Sequence, residues 1–170
     1  GGPPTVFVGH PLIEQLSELR PSPEEAVQRN RADAPEVLLL PGSRRSEISR
    51  LLPVFGEVAG RVVTRIPGAR FVLPTVPHLE QAVREAVIAW PHAPEIIISH
   101  EQKRAAFRRA RVALAASGTV TLELALSGVP TVAAYRVSSW EAIVARRVVR
   151  VPSVLLPNLI LEARAMPEFL

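Results

Sequence analysis

The 170-residue chain has no cysteine, which removes disulfide scaffolds, thiolate zinc sites and cysteine nucleophiles together. Aromatic residues make up only 5% of it. No arginine cluster alternates with them, so the stacking platforms of a nucleic-acid binder are missing and no nucleic-acid partner is expected. No apolar run approaches the roughly 18 to 20 residues of a membrane span. The opening Gly1-Gly2-Pro3-Pro4 lacks the charged and apolar regions of a secretory signal, and a cytoplasmic, reducing setting is expected. HExxH and spaced His/Asp sets are missing, so no metal is expected. The Gly-x-Ser-x-Gly elbow, the P-loop and GxGxxG are missing too, and no bound cofactor is expected.

Lysine is nearly missing as well. Of the 20 basic residues only Lys103 is a lysine, and the rest are arginines. The guanidinium is a planar donor fork suited to phosphate and less strongly hydrated than an ammonium. With a formal net charge of +4, phosphorylated ligands or an anionic membrane surface are the partners this favours. The codon bias of a GC-rich genome is the better account of most of the arginines. What the chain has in abundance is apolar content, at 48%, enough for one domain with a short attached segment.

Residues 1–34 differ from the remainder. Thr5–Val8 reads as a short strand, Gly9–Leu12 as a turn, and Glu14–Ala34 as a charged stretch broken by Pro21 and Pro23. A short helix is expected from Glu24 to Asn30, with Ser22 as its cap. This segment is expected to be the end of one unit and the linker to the next, with the boundary near Pro35. From Glu36 a regular alternation begins. Apolar runs at Glu36–Leu40, Ala69–Leu73, Glu95–Ile98, Val112–Ala116 and Thr131–Tyr135 predict buried strands. Between them, Ser46–Ile66, Leu79–Trp90, Glu101–Ala110 and Thr119–Ser127 predict helices, the first with apolar residues recurring every three or four positions. The fold class is therefore α/β, a Rossmann-like doubly wound parallel sheet covered on both faces. Ser139–Val149 reads as a basic amphipathic helix with Arg146, Arg147 and Arg150 near its end. Val154–Ile160 reads as a strand and turn, and Met166–Leu170 as the start of another helix.

In such sheets ligands bind beyond the carboxyl ends of the strands. After the first core strand stand Pro41, Gly42, Ser43 and Arg44. A glycine turn opening a helix offers backbone N–H groups to an anion, and Arg44 adds a charge-assisted fork. The same residues also make a plain capped turn, with Ser43 or Ser46 as the cap. After the fourth strand, Ser117, Gly118 and Thr119 form a second such turn, and Glu123 lies one helical turn on. A carboxylate in that apolar helix needs a donor. Ribose hydroxyls serve that purpose in nucleotide folds; Arg44, Arg136 or a backbone amide would do so within the protein. The third strand ends in Ser99, His100 and Glu101, where the histidine is a cap or surface residue on composition alone. Asn158, after a proline, stabilises a turn.

Four segments taken together, FVGHPL (7–12), LLLPGSRRSEISRLLPVF (38–55), ASGTVTLELALSGVPTVAAYR (116–136) and LPNLILEARAMPEFL (156–170), resemble the lipid-A-disaccharide synthases, glycosyltransferases of the two-Rossmann GT-B architecture. The resemblance covers nearly the whole chain after Pro4. It implies that residues 35–170 are a C-terminal UDP-binding domain, cut short before the last helices, and that the N-terminal domain of the same enzyme is its partner. It implies a reaction between UDP-2,3-diacylglucosamine and 2,3-diacylglucosamine 1-phosphate in the cytoplasm, at the surface of the inner membrane. It implies that Gly42, Ser43 and Arg44 meet the diphosphate, that Ser117, Gly118 and Thr119 approach it from the second turn, and that Glu123 takes the ribose hydroxyls. Ser99, His100 and Glu101 would lie beside the uracil and Asn158 would line the cleft. The general base would stand in the N-terminal half, leaving this chain no catalytic residue beyond leaving-group stabilisation by Arg44, and no activity alone. Other UDP-N-acetylglucosamine enzymes of the same architecture, an epimerase or the peptidoglycan glycosyltransferase, are the alternative. A non-catalytic membrane-surface module using the basic helix is another.

Overall fold

The computed structural model describes residues 6, 10–31, 33–135, 153 and 155–169. The strand expected at Thr5–Val8, Val6 excepted, and the basic helix expected at Ser139–Val149 lie outside them, with Arg136, Arg146, Arg147 and Arg150.

The apolar runs become strands β1 (Glu36–Leu40), β2 (Arg70–Pro74), β3 (Glu95–Ile97), β4 (Val112–Ala116) and β5 (Thr131–Ala134). With β6 (Glu168–Phe169) they form one parallel sheet in the order β3-β2-β1-β4-β5-β6. The helices are α1 (Leu16–Leu19), α2 (Pro23–Arg31), α3 (Arg45–Arg65), α4 (Glu80–Val87), α5 (His100–Arg109), α6 (Thr119–Leu126) and α7 (Leu156–Leu161). All five residues of β1 are buried, because helices cover both faces of the sheet. Val37 and Leu39 of β1, with Phe71 and Leu73 of β2, pack against Leu51, Leu52 and Phe55 of α3 and Val83 of α4. Their neighbours Leu38, Leu40 and Val72 point the other way, against Phe107 of α5 and Leu124 of α6. That alternation along near-continuous apolar strands is the period of two read on both faces at once.

The segment before Pro35 is fastened to this second face. Leu19 is 2% exposed and belongs to the α5-side core. Helix α2 opens with a reciprocal cap, in which the Glu25 N–H donates to Ser22 Oγ (3.2 Å) and the Ser22 N–H to the Glu25 carboxylate (2.8 Å). Several arginines tie the layer down. Arg108 pairs with Glu25 (3.1 Å) and Arg104 with Glu18 (2.6 Å). Arg29 donates to the carbonyls of Ser127 (3.3 Å) and Gly128 (3.0 Å), while Arg111 donates to the carbonyls of Arg29 and Asn30. Codon bias is thus no full account of these residues: their forks close carbonyl ends of neighbouring elements.

The C-terminal expectations are corrected. The stretch read as a strand and turn is helix α7, with Pro157 in its first turn, where a missing N–H costs nothing. The tail read as the start of a helix is instead β6: Ala133 N–H donates to the Pro167 carbonyl and Tyr135 N–H to that of Phe169, both at 2.9 Å. The open edge of β5 decides this, since it offers a ladder that a short tail can complete.

Candidate functional site

Strand order reverses between β1 and β4, because β1 leads to β2 on one side while β4 leads to β5 on the other. The loops leaving these strands therefore diverge and open a crevice at their carboxyl ends. A cavity of about 380 Å³ lies there, within the roughly 300–1,000 Å³ of small-molecule sites. Its lining includes Gly42, Ser43 and Arg44 after β1, Ser99 and His100 after β3, and Ser117, Gly118 and Thr119 after β4. Eight of the sequence-chosen residues, drawn from three loops spread over some 80 positions, thus meet around one space. A second hollow, of about 480 Å³, lies between α3 and α4, walled mainly by apolar side chains; it is away from the strand ends and gathers none of these residues.

The first loop differs from the capped turn that was one of its two readings. Neither Ser43 nor Ser46 caps α3; Arg44 holds the cap position. A guanidinium has no acceptor to offer, so the loop is closed from inside the helix by Glu47. One oxygen of that carboxylate accepts from the Ser43 N–H (3.0 Å) and the Arg44 N–H (3.2 Å), and the other accepts from the Arg44 guanidinium (2.8 Å). Gly42, at φ 110°, makes this fold-back feasible: a Cβ there would lie 2.2 Å from the Glu47 oxygen, and L side chains avoid that φ.

The second turn has no carboxylate folded over it among the described residues. Helix α6 starts at Gly118 with no side-chain cap and no acidic residue in its first turn; the Thr121 N–H turns back to the Gly118 carbonyl (3.1 Å), and the Thr119 and Val120 N–H groups ahead of it carry the positive character of a helix start. A Cβ at Gly118 would meet nothing within 4 Å. Between these turns Ser99 caps α5 by accepting from the Gln102 N–H (3.3 Å), and His100 is exposed at the rim.

Three expected residues do not line the cavity. Glu101 is exposed on the outside of α5. Glu123 sits behind the wall and pairs with Lys103 at 2.6 Å, a partner absent from the sequence expectation, which named Arg44, Arg136 or an amide. Asn158 does not reach the cleft: it is 3% exposed, donates to the Met166 carbonyl (2.9 Å) and Glu168 (3.0 Å), and accepts from the Met166 N–H (2.9 Å). Those bonds pin α7 to the strand β6 and leave the amide nothing to offer a ligand.

Sequence reasoning also missed three polar lining residues, Glu47, Thr75 and Lys103. Lys103 stands with its ammonium 5.3 Å from the Phe107 ring centroid and bound to Glu123. The signal for it was present, as a lone lysine among arginines, four residues after the Ser99 cap. Thr75 Oγ1 is buried without a hydrogen-bond partner, which nothing in the sequence marks. No group of acidic residues, histidines or cysteines suited to a metal occurs among the described residues, and no described helix is long and apolar enough to cross a membrane.

The chain is 57% identical over all 170 residues to a lipid-A-disaccharide synthase of Nitrobacter winogradskyi, and 55% identical to that of Bradyrhizobium diazoefficiens. It spans 43% of the length of each. A solved structure of a UDP-GlcNAc 2-epimerase from Neisseria meningitidis, bound to UDP-GlcNAc, resembles it at 17% identity with a TM-score of 0.46, covering 88% of this chain and 42% of that one. The family model described as lipid-A-disaccharide synthetase matches residues 2–170. On that match and on relatives more than half identical along its whole length, the chain belongs to the lipid-A-disaccharide synthetase family.

Proposed function

We propose that the chain is the UDP-binding half of a glycosyltransferase that joins UDP-2,3-diacylglucosamine to 2,3-diacylglucosamine 1-phosphate, forming lipid A disaccharide and releasing UDP. The observation that carries this is the cavity at the strand-order reversal, where an arginine-bearing loop faces an uncapped helix start. Arg44 and the Ser43 hydroxyl meet the diphosphate from one side, and the Ser117–Thr119 turn with the α6 N–H groups meets it from the other. Ser99 and His100 stand at the base end of the nucleotide. Glu123, paired with the cavity-lining Lys103, is the ribose ligand of this reading. Gly42 contributes its backbone turn.

In the reaction the 6-hydroxyl of the acceptor attacks the anomeric carbon of the donor sugar as the bond to the β-phosphate oxygen breaks. The hydroxyl proton goes to a general base outside this chain. Charge builds on the departing β-phosphate, and donors already arranged around it lower the barrier without reorganisation. Arg44 and the start of α6 are those donors. The rest of the enzyme supplies the acceptor site, and contact with the inner-membrane surface brings in the acylated substrates.

Calorimetric titration of the chain with UDP tests the reading. Weak binding is expected, reduced about tenfold or more by Arg44→Ala and by Glu123→Ala, as for loss of a hydrogen bond to a charged group. A folded wild-type chain that ignores millimolar UDP would sink it, and glycosyl transfer by the chain alone would refute the placement of the base.

A further inference from the structure

We propose that Glu47 is a positioning residue of the anion site, holding the first loop closed and the Arg44 guanidinium ready at the cavity. The inference rests on the UDP reading for the name of the ligand, but its geometry is independent of it. A single carboxylate takes the Ser43 and Arg44 amides of the loop together with the Arg44 guanidinium. The amides that make a glycine turn attractive to phosphate are therefore already engaged by the protein's own anion. What the first loop presents to a ligand is a side chain, and the backbone donors come from the α6 turn opposite.

Arg44 needs such a hold. Its side chain is 78% exposed, and a long exposed side chain loses rotamer freedom when it is fixed on a ligand. A partner that fixes it beforehand removes that loss from the binding step. Glu47 engages one terminal nitrogen, and a guanidinium carries five N–H donors, so further donors remain for phosphate oxygens. Glu47 is itself only 22% exposed and is backed by Gly42, whose lack of a Cβ leaves room for the carboxylate. The negative charge of Glu47 also repels the incoming anion, and the two effects have opposite signs. Positioning makes loss of Glu47 weaken binding, whereas repulsion makes it strengthen binding.

The experiment titrates the chain with UDP, uridine and inorganic pyrophosphate, using wild type, Glu47→Ala, Glu47→Gln, Arg44→Ala and the Arg44→Ala/Glu47→Gln double variant. Circular dichroism establishes that each is folded. Glu47→Ala is expected to raise the Kd for UDP and pyrophosphate about tenfold, with Glu47→Gln between it and wild type because its amide oxygen still accepts from the loop. Uridine, which lacks phosphate, is expected to bind all variants alike. With Arg44 already removed, Glu47→Gln is expected to add little, since two residues acting through one another are not additive. Tighter binding of UDP by Glu47→Gln, equal losses for UDP and uridine, or full additivity with Arg44→Ala would each overturn the proposal. If wild type binds pyrophosphate but not UDP, the nucleotide reading fails and the pyrophosphate series alone decides the role of Glu47. If pyrophosphate also fails to bind, the anion site itself is refuted.

Discussion

The two turns that face each other across the cavity look alike in sequence and differ in state. Pro41–Arg44 and Ser117–Thr119 both follow a central strand, both contain glycine beside a hydroxyl residue, and both open a helix. The first is closed on itself by Glu47 and offers a guanidinium; the second has no acidic residue in its first helical turn and offers backbone N–H groups. A glycine turn at a helix start is thus not by itself an anion site. What decides is whether a carboxylate one helical turn on already occupies it. In α3 it does. In α6 the carboxylate is Glu123, the fifth residue of its helix where Glu47 is the third of α3, and it is directed to Lys103 instead.

The strongest way to break the comparison is to make the second turn resemble the first. Gly118→Asp puts a carboxylate at the start of α6, where an added Cβ meets nothing within 4 Å but the φ of 159° is one that L side chains rarely adopt. That strain is expected to cost about 1–3 kcal/mol of stability, offset in part because an N-terminal carboxylate favours a helix, while UDP binding falls by about a hundredfold, in line with a repelled anion and lost N–H donors. Thermal melting together with calorimetry reads both; unchanged UDP affinity would show that the α6 turn is not the backbone donor. Gly42→Ala attacks the first turn. The clash with Glu47 and the unfavourable φ are expected to cost about 1–3 kcal/mol, measured by urea denaturation, and to weaken UDP binding as Glu47 is pushed aside. An unperturbed midpoint would mean that the loop relaxes without cost.

The smallest effect lies far from both turns and acts as their control. The Ser22 N–H, reinforced by Arg108, holds the Glu25 carboxyl below its ordinary value of 4.5, against a burial effect of opposite sign. A depressed carboxyl pKa adds stability that is fully present above 4.5 and is lost as pH falls through the lowered value. Acid below pH 4.5 is therefore expected to loosen α2 from α5, by at most about 1 kcal/mol because the pair is partly exposed. Glu25→Gln is expected to remove that increment from the acid limb of the stability curve without altering UDP affinity near neutral pH. A change in UDP affinity would tie the α2 layer to the cavity.

Five strands and the four helices between them were legible because each depends on its own residues. The Ile48, Leu51, Leu52, Phe55 stripe of α3 is a local period, and β1 is a local apolar run. The two turns were legible for the same reason, since glycine and hydroxyl residues after a strand have local meaning. Asn158 was misplaced because a polar residue after proline suits a turn, a ligand or an internal tie equally well, and only the approach of Met166 and Glu168 chose the tie. Lys103 was passed over because its partner lies 20 residues away on another helix.

By itself the sequence determined a parallel α/β sheet and the loops at its carboxyl edge, because hydrophobic period and turn chemistry act over a few residues. Tertiary structure alone decided the rest. Strand β6 exists as two residues completing the exposed ladder of β5. The pairing of Lys103 with Glu123 follows from α5 lying beside α6 on one face of the sheet. Two similar glycine turns came to differ because a carboxylate folds back over Gly42 and none among the described residues does so over Gly118. Hydrogen-bond donors are local, but the acceptor that reaches them first is set by packing.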